Sequence, residues 1–340
     1  MSLSVCRCRF RPHIRLIGSA MLSTLINRVR AGESAVELVW SSHERWPLPR
    51  VSGGDDLRVA ILDSSFNPPT RAHLALATAP YPTLLQPWTS ALQESRNSAY
   101  DATLLLLSVR NADKQLAPGD ASYVQRLEMM ILLAQDIVLG RGRLVNNDTP
   151  GLTHKYDNVA VAIIDEPTFV GKSRSLLQFL RHHLSRLFEA SAGVVPSPAD
   201  NDTPATMLRT VLPRLAFLVG VDTLERLFAP RYYMSEDAML AALRNFFSSD
   251  GDNARVVCAR RNLSEAMRKE VEDDDIVPGA AQEFVGTNHV TLIDIGDFEK
   301  TISSTKIRLS LKTGDSVWRS MVNPSVAEYI LEHGLYCTPA

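Results

Sequence analysis

The sequence predicts an α/β fold built on a doubly wound parallel sheet flanked by helices. Six short segments are almost continuously apolar and rich in β-branched residues, which is typical of strands that are buried on both faces. Between these segments the apolar residues recur at helical spacing. Because alternating strands and helices form βαβ units, the pattern indicates a parallel sheet with crossover helices on both faces.

Each predicted element follows from its local pattern. In chain order, the predicted strands are Val59–Leu62, Thr103–Val109, Val159–Ile164, Leu215–Val219, Arg255–Ala259 and His289–Ile293. The clearest predicted helices are Tyr123–Val138 and Ser173–Ala190, in which the apolar residues form one continuous stripe. The stripe predicts that one side of each helix packs against the sheet.

Residues 1–50 are predicted to form an N-terminal extension with a docking helix, because apolar residues fall at helical spacing between Met21 and Trp40. The first 32 residues contain six arginines and no acidic residue, a composition compatible with a mitochondrial transit peptide. A translation start at Met21 is the other interpretation, and the sequence leaves both open. We expect a cytoplasmic or nuclear protein, since the arginine pattern is short and irregular, and a mitochondrial one if residues 1–32 act as a transit peptide.

Residues 51–340 are predicted to form a single domain, with a Pro-rich polar segment near 191–206 as a mobile surface loop. The net charge is −2, so no global basic field favours binding to nucleic acid. No run of about 18 apolar residues predicts a membrane span, and the cysteines lack the spacing of zinc ligands. We therefore expect no nucleic-acid partner, no membrane and no protein-held metal, while a homo-oligomer is left open.

A polar turn and the start of a helix follow the first predicted strand directly. The turn reads SSFNPP (residues 64–69), and the helix is predicted to begin near Thr70, because the residue before a proline avoids the helical conformation. Thr70 and His73 then share one face of the first helical turn. A hydroxyl, an imidazole and free backbone N–H groups at a helix start form an anion site. The alternative is a capped helix with an incidental histidine.

Two later strand ends carry the same kind of polar helix start. Gly220 follows the fourth predicted strand and allows a ligand to approach the backbone closely. Asp222 caps the next helix or accepts a hydrogen bond from a ribose. The segment ISSTKIR (302–308) follows the last predicted strand, and its hydroxyls with Arg308 suit a polyphosphate. Since ligands of doubly wound sheets bind at the carboxyl ends of the strands, we predict that the three segments meet around one ligand.

Together, the three motifs resemble the nucleotidyltransferase superfamily with the (H/T)xGH signature, and most closely the fungal cytidylyltransferase-like branch of the nicotinamide mononucleotide (NMN) adenylyltransferases. The segments that carry the resemblance are SSFNPPTRAH (64–73), LSVRNADKQ (107–115), RLEMM (126–130), FLVGVDTLERLF (217–228), VVCARRN (256–262) and ISSTKIR (302–308). The resemblance covers roughly residues 57 to 336. The chain departs from the family pattern at Ser64 and Ala72, where glycine is usual.

The resemblance implies a Rossmann-like sheet of the nucleotidyltransferase type. It implies an enzyme that transfers the adenylyl group of ATP to NMN by in-line attack of the NMN phosphate on the α-phosphorus, giving NAD and pyrophosphate. Catalytic roles are implied for His73, Thr70 and Arg308. Contacts to ATP are implied for Ser65, Phe66, Gly220, Asp222, Arg260, Ser303, Ser304 and Thr305. Lys114 and Arg126 are expected to contact NMN, and Mg²⁺ is expected to be bound through the ATP phosphates.

Other interpretations stay open, because the motifs bind phosphates and do not read bases. The same site would suit a cytidylyltransferase or another mononucleotide acceptor. A weakly ATP-hydrolysing regulatory protein would retain the same pocket. The motifs do not distinguish NMN from nicotinic acid mononucleotide. A class I aminoacyl-tRNA synthetase is disfavoured, because the sequence has no KMSKS-like segment.

Overall fold

A seven-stranded sheet forms the centre of the computed structural model, which describes residues 18–48, 56–82, 100–110, 118–144, 158–192, 211–260, 279 and 282–337. The strands are β1 (Val36–Ser41), β2 (Asp56–Asp63), β3 (Ala102–Ser108), β4 (Val159–Ile164), β5 (Leu212–Gly220), β6 (Arg255–Ala259) and β7 (Val290–Ile293). Their order in the sheet is β1-β4-β3-β2-β5-β6-β7. Strands β2 to β7 are parallel, and β1 pairs antiparallel with β4. The predicted fold class is confirmed.

The chain reverses direction across the sheet beside β2. From β2 it adds β3 and β4 on one side, and it then returns to place β5, β6 and β7 on the other. Ile61 of β2 lies opposite Leu104 of β3 and also opposite Phe217 of β5. The carboxyl ends of β2 and β5 therefore lie side by side at the reversal point, which is where doubly wound sheets bind their ligands.

Helices flank the sheet, and most of them connect one strand to the next. They are α1 (Ser19–Arg30), α2 (Arg71–Ala77), α3 (Tyr123–Leu144), α4 (Phe169–Ala192), α5 (Val221–Leu227), α6 (Glu236–Phe247), α7 (Gln282–Gly286), α8 (Ser304–Thr313), α9 (Trp318–Met321) and α10 (Pro324–Glu332). Short 3₁₀ helices cover Pro230–Tyr232 and Glu299–Thr301. Helices α3 and α4 confirm the two clearest predicted helices, and both run further than the apolar stripe alone predicted.

Side chains of β2 alternate between the two faces of the sheet, as the pleat of a strand requires. Val59 and Ile61 pack in an apolar cluster with α4 and α6. Ala60 and Leu62 pack in a second cluster with α1, α2 and α3. A third cluster joins α8, α9 and α10 to α3, and Ala72 of α2 packs against it. The helices near the end of the chain are therefore held beside the turn that follows β2.

The N-terminal helix is shorter than predicted. It ends at Arg30, and Gly32, with a φ of +73°, takes the chain out of the helix. Residues 36–41 form β1 instead of continuing the helix to Trp40, and Val36 lies opposite Ile164 of β4. The apolar residues of this segment fit either a helix or a strand. The segment is a strand because it pairs with the open edge of β4. No local sequence pattern reveals that this edge is available.

Part of the predicted N-terminal extension is thus built into the sheet through β1. The boundary at residue 50 and the loop near 191–206 stay predictions, because residues 49–55 and 193–210 lie outside the described residues. Within the described ranges, no helix is long and apolar enough to cross a membrane.

Candidate active site

A cavity of about 650 Å³ opens at the carboxyl ends of β2 and β5. The predicted site residues that line it are Ser65, Thr70, His73, Arg126, Gly220, Asp222, Arg260, Ser303, Ser304, Thr305 and Arg308. The three polar helix starts that were predicted to meet therefore do line one cavity. What each residue binds there stays a prediction.

The turn between β2 and α2 has an unusual backbone. The peptide bond between Asn67 and Pro68 is cis, and Phe66 has a φ of +45°, a left-handed conformation that is uncommon for a residue with a side chain. The Phe66 side chain is fully buried, and its ring centroid lies 5.0 Å from that of His73. The Phe66 side chain therefore supports the histidine ring and does not line the cavity, and its contact with ATP stays a prediction.

Helix α2 begins with a reciprocal cap that fixes His73. The Thr70 hydroxyl accepts a hydrogen bond from the His73 backbone N–H at 3.3 Å. In return, the His73 ring accepts one from the Thr70 backbone N–H at 3.0 Å, through Nδ1. The Thr70 hydroxyl also lies 2.8 Å from Nδ1. The predicted helix start is confirmed, and the cap holds the imidazole in one orientation beside the free N–H groups of the first turn.

The cap also determines which nitrogen of His73 carries the proton. A backbone N–H only donates, so Nδ1 is an acceptor and the proton of the neutral ring is on Nε2. Nε2 lies 2.9 Å from Oγ of Ser64, which accepts this proton in a hydrogen bond. The Ser64 hydroxyl therefore occupies the position next to Nε2.

Burial lowers the pKa of His73 from the ordinary value of 6.5 to about 4, because removal from water disfavours the charged ring. At neutral pH the ring is therefore a neutral hydrogen-bond donor through Nε2. A bound polyanion would favour the imidazolium form and raise this pKa.

We predict that His73 of the ligand-free protein stays neutral as the pH falls through 6 and titrates only near pH 4. The unfolded chain binds this proton at the ordinary value, so it holds more protons between these two pH values. Stability should therefore decrease as the pH falls through that window. Histidine ring nitrogen shifts in NMR spectra, recorded from pH 7 to 4, would measure the titration. A midpoint near 6.5 for His73 would contradict the prediction.

The start of α8 reaches the same turn from the far end of the chain. Ser303 caps the helix by accepting from the Lys306 backbone N–H at 3.2 Å. Ser304 donates through Oγ to the carbonyl oxygen of Pro68 at 2.8 Å. Arg308 donates through Nη1 to the carbonyl oxygen of Asn67 at 2.7 Å. Direct hydrogen bonds therefore join two segments that are 241 residues apart in the chain.

Sequence reasoning missed the side chains that hold this junction together. Asn67 is buried, and its Nδ2 donates to Oδ1 of Asp120 at 2.7 Å. Its Oδ1 accepts from the Ala121 backbone N–H at 3.2 Å and from the Tyr336 hydroxyl at 2.9 Å. Asp120 also lies 3.8 Å from Nε of Arg308. No local pattern marks Asp120, because its partners Asn67 and Arg308 come from two distant parts of the chain.

Arg126 was predicted to contact the acceptor mononucleotide. Its side chain is buried, and all three guanidinium nitrogens have protein partners. Nε donates to the carbonyl oxygen of Ala121 at 2.9 Å, Nη1 donates to that of Ser65 at 3.3 Å, and Nη2 lies 3.4 Å from Asp120. These contacts hold the turn after β2 against α3. The structure thus gives Arg126 a supporting role, and its contact with substrate stays a prediction.

The end of β5 forms the opposite wall of the cavity. Gly220 precedes α5 as its N-cap residue, and a Cβ atom at this position would meet nothing within 4 Å. The space beside this backbone is therefore open to a ligand. Asp222 lies in the first turn of α5 and is exposed at the cavity.

A buried ion pair at the end of β2 was not predicted from the sequence. Nζ of Lys172, in the first turns of α4, lies 2.6 Å from Oδ2 of Asp63. The two side chains are 7% and 8% exposed, respectively, and both residues line the cavity. Nζ of Lys172 also lies 5.0 Å from the ring centroid of Phe169. The sequence carries one local signal for this pair, which is that the acidic Asp63 directly follows a buried apolar strand.

Two of the predictions about ligands have no direct structural counterpart. Lys114 lies outside the described residues, which omit 111–117. Within the described part of the chain, no group of three His, Cys, Asp or Glu side chains is arranged to hold a metal ion. The expectation that Mg²⁺ is bound through the ATP phosphates stays a prediction.

Comparisons with known proteins give one clear relative. No protein-family model matches the chain. The chain is 28% identical over 275 residues to a protein of Schizosaccharomyces pombe named putative nicotinamide mononucleotide adenylyltransferase, and the match covers 79% of this chain and 82% of that protein. This relative confirms the resemblance predicted from the motifs.

Solved structures also match the chain, and two of them are enzymes of mononucleotides by name. One is the Plasmodium falciparum nicotinic acid mononucleotide adenylyltransferase complexed with APC, at 14% identity and a TM-score of 0.35, covering 82% of this chain and 96% of that one. The other is a putative nicotinate-nucleotide adenylyltransferase of Vibrio parahaemolyticus, at 16% identity and a TM-score of 0.28, covering 81% and 98%.

Proposed function

From the premise that this chain is a homologue of a putative NMN adenylyltransferase, we propose that it transfers the adenylyl group of ATP to NMN. The NMN phosphate would attack the α-phosphorus in line. A bond forms from an NMN phosphate oxygen to that phosphorus, the bond between the α- and β-phosphates breaks, and NAD and pyrophosphate are released.

One observation carries this proposal. The capped start of α2, with His73, and the capped start of α8, with Arg308, lie at one cavity and are joined through the carbonyl oxygens of Asn67 and Pro68. Two helix starts that converge on one space concentrate free N–H groups and a positive field there. A triphosphate is the ligand that matches such an arrangement.

The reaction needs little proton chemistry from the protein. A phosphate monoester has a second pKa of about 6, so the NMN phosphate is already mostly a dianion at neutral pH. The barrier comes from bringing two polyanions together and from the charge that develops on the α-phosphoryl group and the leaving pyrophosphate. Positioning and fixed hydrogen-bond donors therefore supply the rate enhancement.

In the proposed complex, Nε2 of His73 donates to an α-phosphate oxygen, and Thr70 keeps the ring oriented through Nδ1. The α-phosphate would take the place of the Ser64 hydroxyl as the acceptor of the Nε2 proton. ATP enters as its Mg²⁺ complex, so the metal is part of the substrate.

The other predicted residues take the remaining parts of ATP and the acceptor. Ser303, Ser304, Thr305 and Arg308 would hold the β- and γ-phosphates at the start of α8. Asp222, beside Gly220, would accept from a ribose or base donor, and Arg260 would help to orient ATP. Lys114 would contact the phosphate of NMN.

The test is product analysis with the purified full-length chain. Incubation with ATP, Mg²⁺ and NMN should yield NAD and pyrophosphate in equal amounts, measured by chromatography. Parallel reactions contain CTP in place of ATP, or ATP without an acceptor. A cytidylyl product formed in preference to NAD, or release of phosphate from ATP without any dinucleotide, would refute the proposal in favour of the corresponding alternative.

A further inference from the structure

The ion pair between Asp63 and Lys172 lies at the cavity but belongs to none of the phosphate-binding segments. Asp63 is the last residue of β2, and Lys172 is on α4. Both side chains are more than nine-tenths buried, with their charged atoms 2.6 Å apart. Burial of charges is costly even when they are paired, so a pair kept at a cavity wall is a candidate for ligand recognition.

Asp63 and the neighbouring Ser64 direct their side chains to opposite faces of the sheet. The Asp63 carboxylate reaches Lys172 on α4, on the face where Ile61 also packs. The Ser64 hydroxyl reaches His73 on α2, which packs on the face of Leu62. The cavity therefore has an α2 side, defined by His73, Thr70 and Arg308, and an α4 side, defined by Asp63, Lys172 and Phe169.

The net charge of the Asp63–Lys172 pair determines which chemical group of a ligand it can bind. Asp63 and Lys172 together are neutral, and a phosphate bound to Lys172 would also lie close to the Asp63 carboxylate and be repelled by it. The pair therefore makes a poor phosphate site. It offers one strong donor and one strong acceptor side by side, which is the complement of a neutral group that has both an acceptor and a donor.

A primary carboxamide is such a group. Its carbonyl oxygen can accept from the Lys172 ammonium while its NH₂ donates to the Asp63 carboxylate. A carboxylate offers acceptors only, so it would satisfy Lys172 but face repulsion from Asp63. The two acceptor mononucleotides that the motifs leave open differ in this one group, because nicotinamide carries a carboxamide and nicotinic acid a carboxylate.

We propose that Asp63 and Lys172 recognise the carboxamide of the acceptor base, so that this chain prefers NMN over nicotinic acid mononucleotide. The inference rests on the proposed adenylyl transfer and assigns its acceptor specificity. In this arrangement the acceptor base occupies the α4 side of the cavity, and the triphosphate occupies the α2 side.

The test compares kcat/KM for the two mononucleotides, with ATP as the common donor. Wild type should favour NMN. The variant Asp63→Asn leaves Lys172 as an uncompensated cation, and it should shift the ratio at least about 10-fold towards nicotinic acid mononucleotide, the scale of one hydrogen bond to a charged group. A general loss of folding would lower both rates together and leave their ratio unchanged.

Two further variants make the result decisive. The double variant Asp63→Asn/Lys172→Gln leaves no buried charge without a partner, and it should remove most of the preference even if Asp63→Asn alone folds poorly. The matched control is Asp56→Asn, at the other end of β2. Asp56 pairs with Arg214 at 2.9 Å outside the cavity lining, so this change should leave the ratio as in wild type.

The outcomes separate this inference from the function on which it rests. If wild type forms no dinucleotide from either mononucleotide, the proposed function fails and the inference fails with it. If wild type forms a dinucleotide but prefers nicotinic acid mononucleotide, the inference alone is overturned. The inference alone is also overturned if Asp63→Asn and the double variant both keep the wild-type ratio of kcat/KM for the two mononucleotides.

Discussion

Replacing His73 with alanine is expected to lower kcat for adenylyl transfer by about 10²- to 10³-fold, the usual scale for the loss of one preorganised donor at a developing charge. The His73 ring is oriented before any ligand binds, because Thr70 fixes Nδ1 and Phe66 packs against the ring. The donor therefore needs no reorganisation when charge accumulates on the α-phosphoryl group. Steady-state rates of NAD formation at saturating ATP and NMN measure the effect.

The control for this variant is His333→Ala. His333 is exposed at the end of α10 and lies outside the cavity lining, so its removal should leave kcat unchanged. Because His73 also takes part in the cap of α2, the Tm of His73→Ala should be measured to show that the protein remains folded at the assay temperature. Turnover close to wild type in folded His73→Ala protein would refute the role of His73.

Replacing Arg308 with alanine is expected to raise KM for ATP about 10- to 100-fold, since hydrogen bonds to charged groups contribute roughly 1.5–3 kcal/mol. Arg308 is a cation at the start of α8 with 27% of its side chain exposed, so part of its guanidinium faces the cavity. The variant removes this charge together with the hydrogen bond to the Asn67 carbonyl oxygen. KM for NMN should change less than KM for ATP.

Lys312→Ala provides the matched control on the same helix. Lys312 is exposed in the last turn of α8 and does not line the cavity. It therefore shares the charge and the helix of Arg308 but not its position. An ATP dependence that is the same in Arg308→Ala as in wild type would exclude Arg308 from the phosphate site. Equal effects of the two variants would indicate a long-range effect of net charge instead of a contact.

Features that depend on short stretches of chain could be predicted from the sequence. The central parallel strands are recognisable because they are buried on both faces and therefore nearly continuously apolar. The start of α2 at Thr70 could be located because a proline restricts the residue before it and because threonine caps helices well. The segment ISSTKIR was likewise recognised as a polar helix start, and the structure shows that Ser303 caps α8 by accepting from the Lys306 N–H.

Features that depend on partners far along the chain were missed. The strand β1 was predicted as helix, because its pattern is ambiguous until the edge of β4 is present. The support that the buried Phe66 side chain gives to the His73 ring was also not predicted. Asp120 gave no signal, since it acts by bonding Asn67 and approaching Arg308.

From β2 onwards, the sequence by itself determined the strand-helix order, the helix starts at the carboxyl ends of the strands and the chemical types of the residues there. Only the tertiary structure decided that Ser304 and Arg308 bond the carbonyl oxygens of Pro68 and Asn67, and that Asp63 pairs with Lys172 across a separation of 109 residues. The physical reason is the sequence separation between the residues that interact. Backbone conformation and capping depend on residues a few positions apart, whereas a cavity and a buried ion pair form only when the folded sheet brings distant segments into contact.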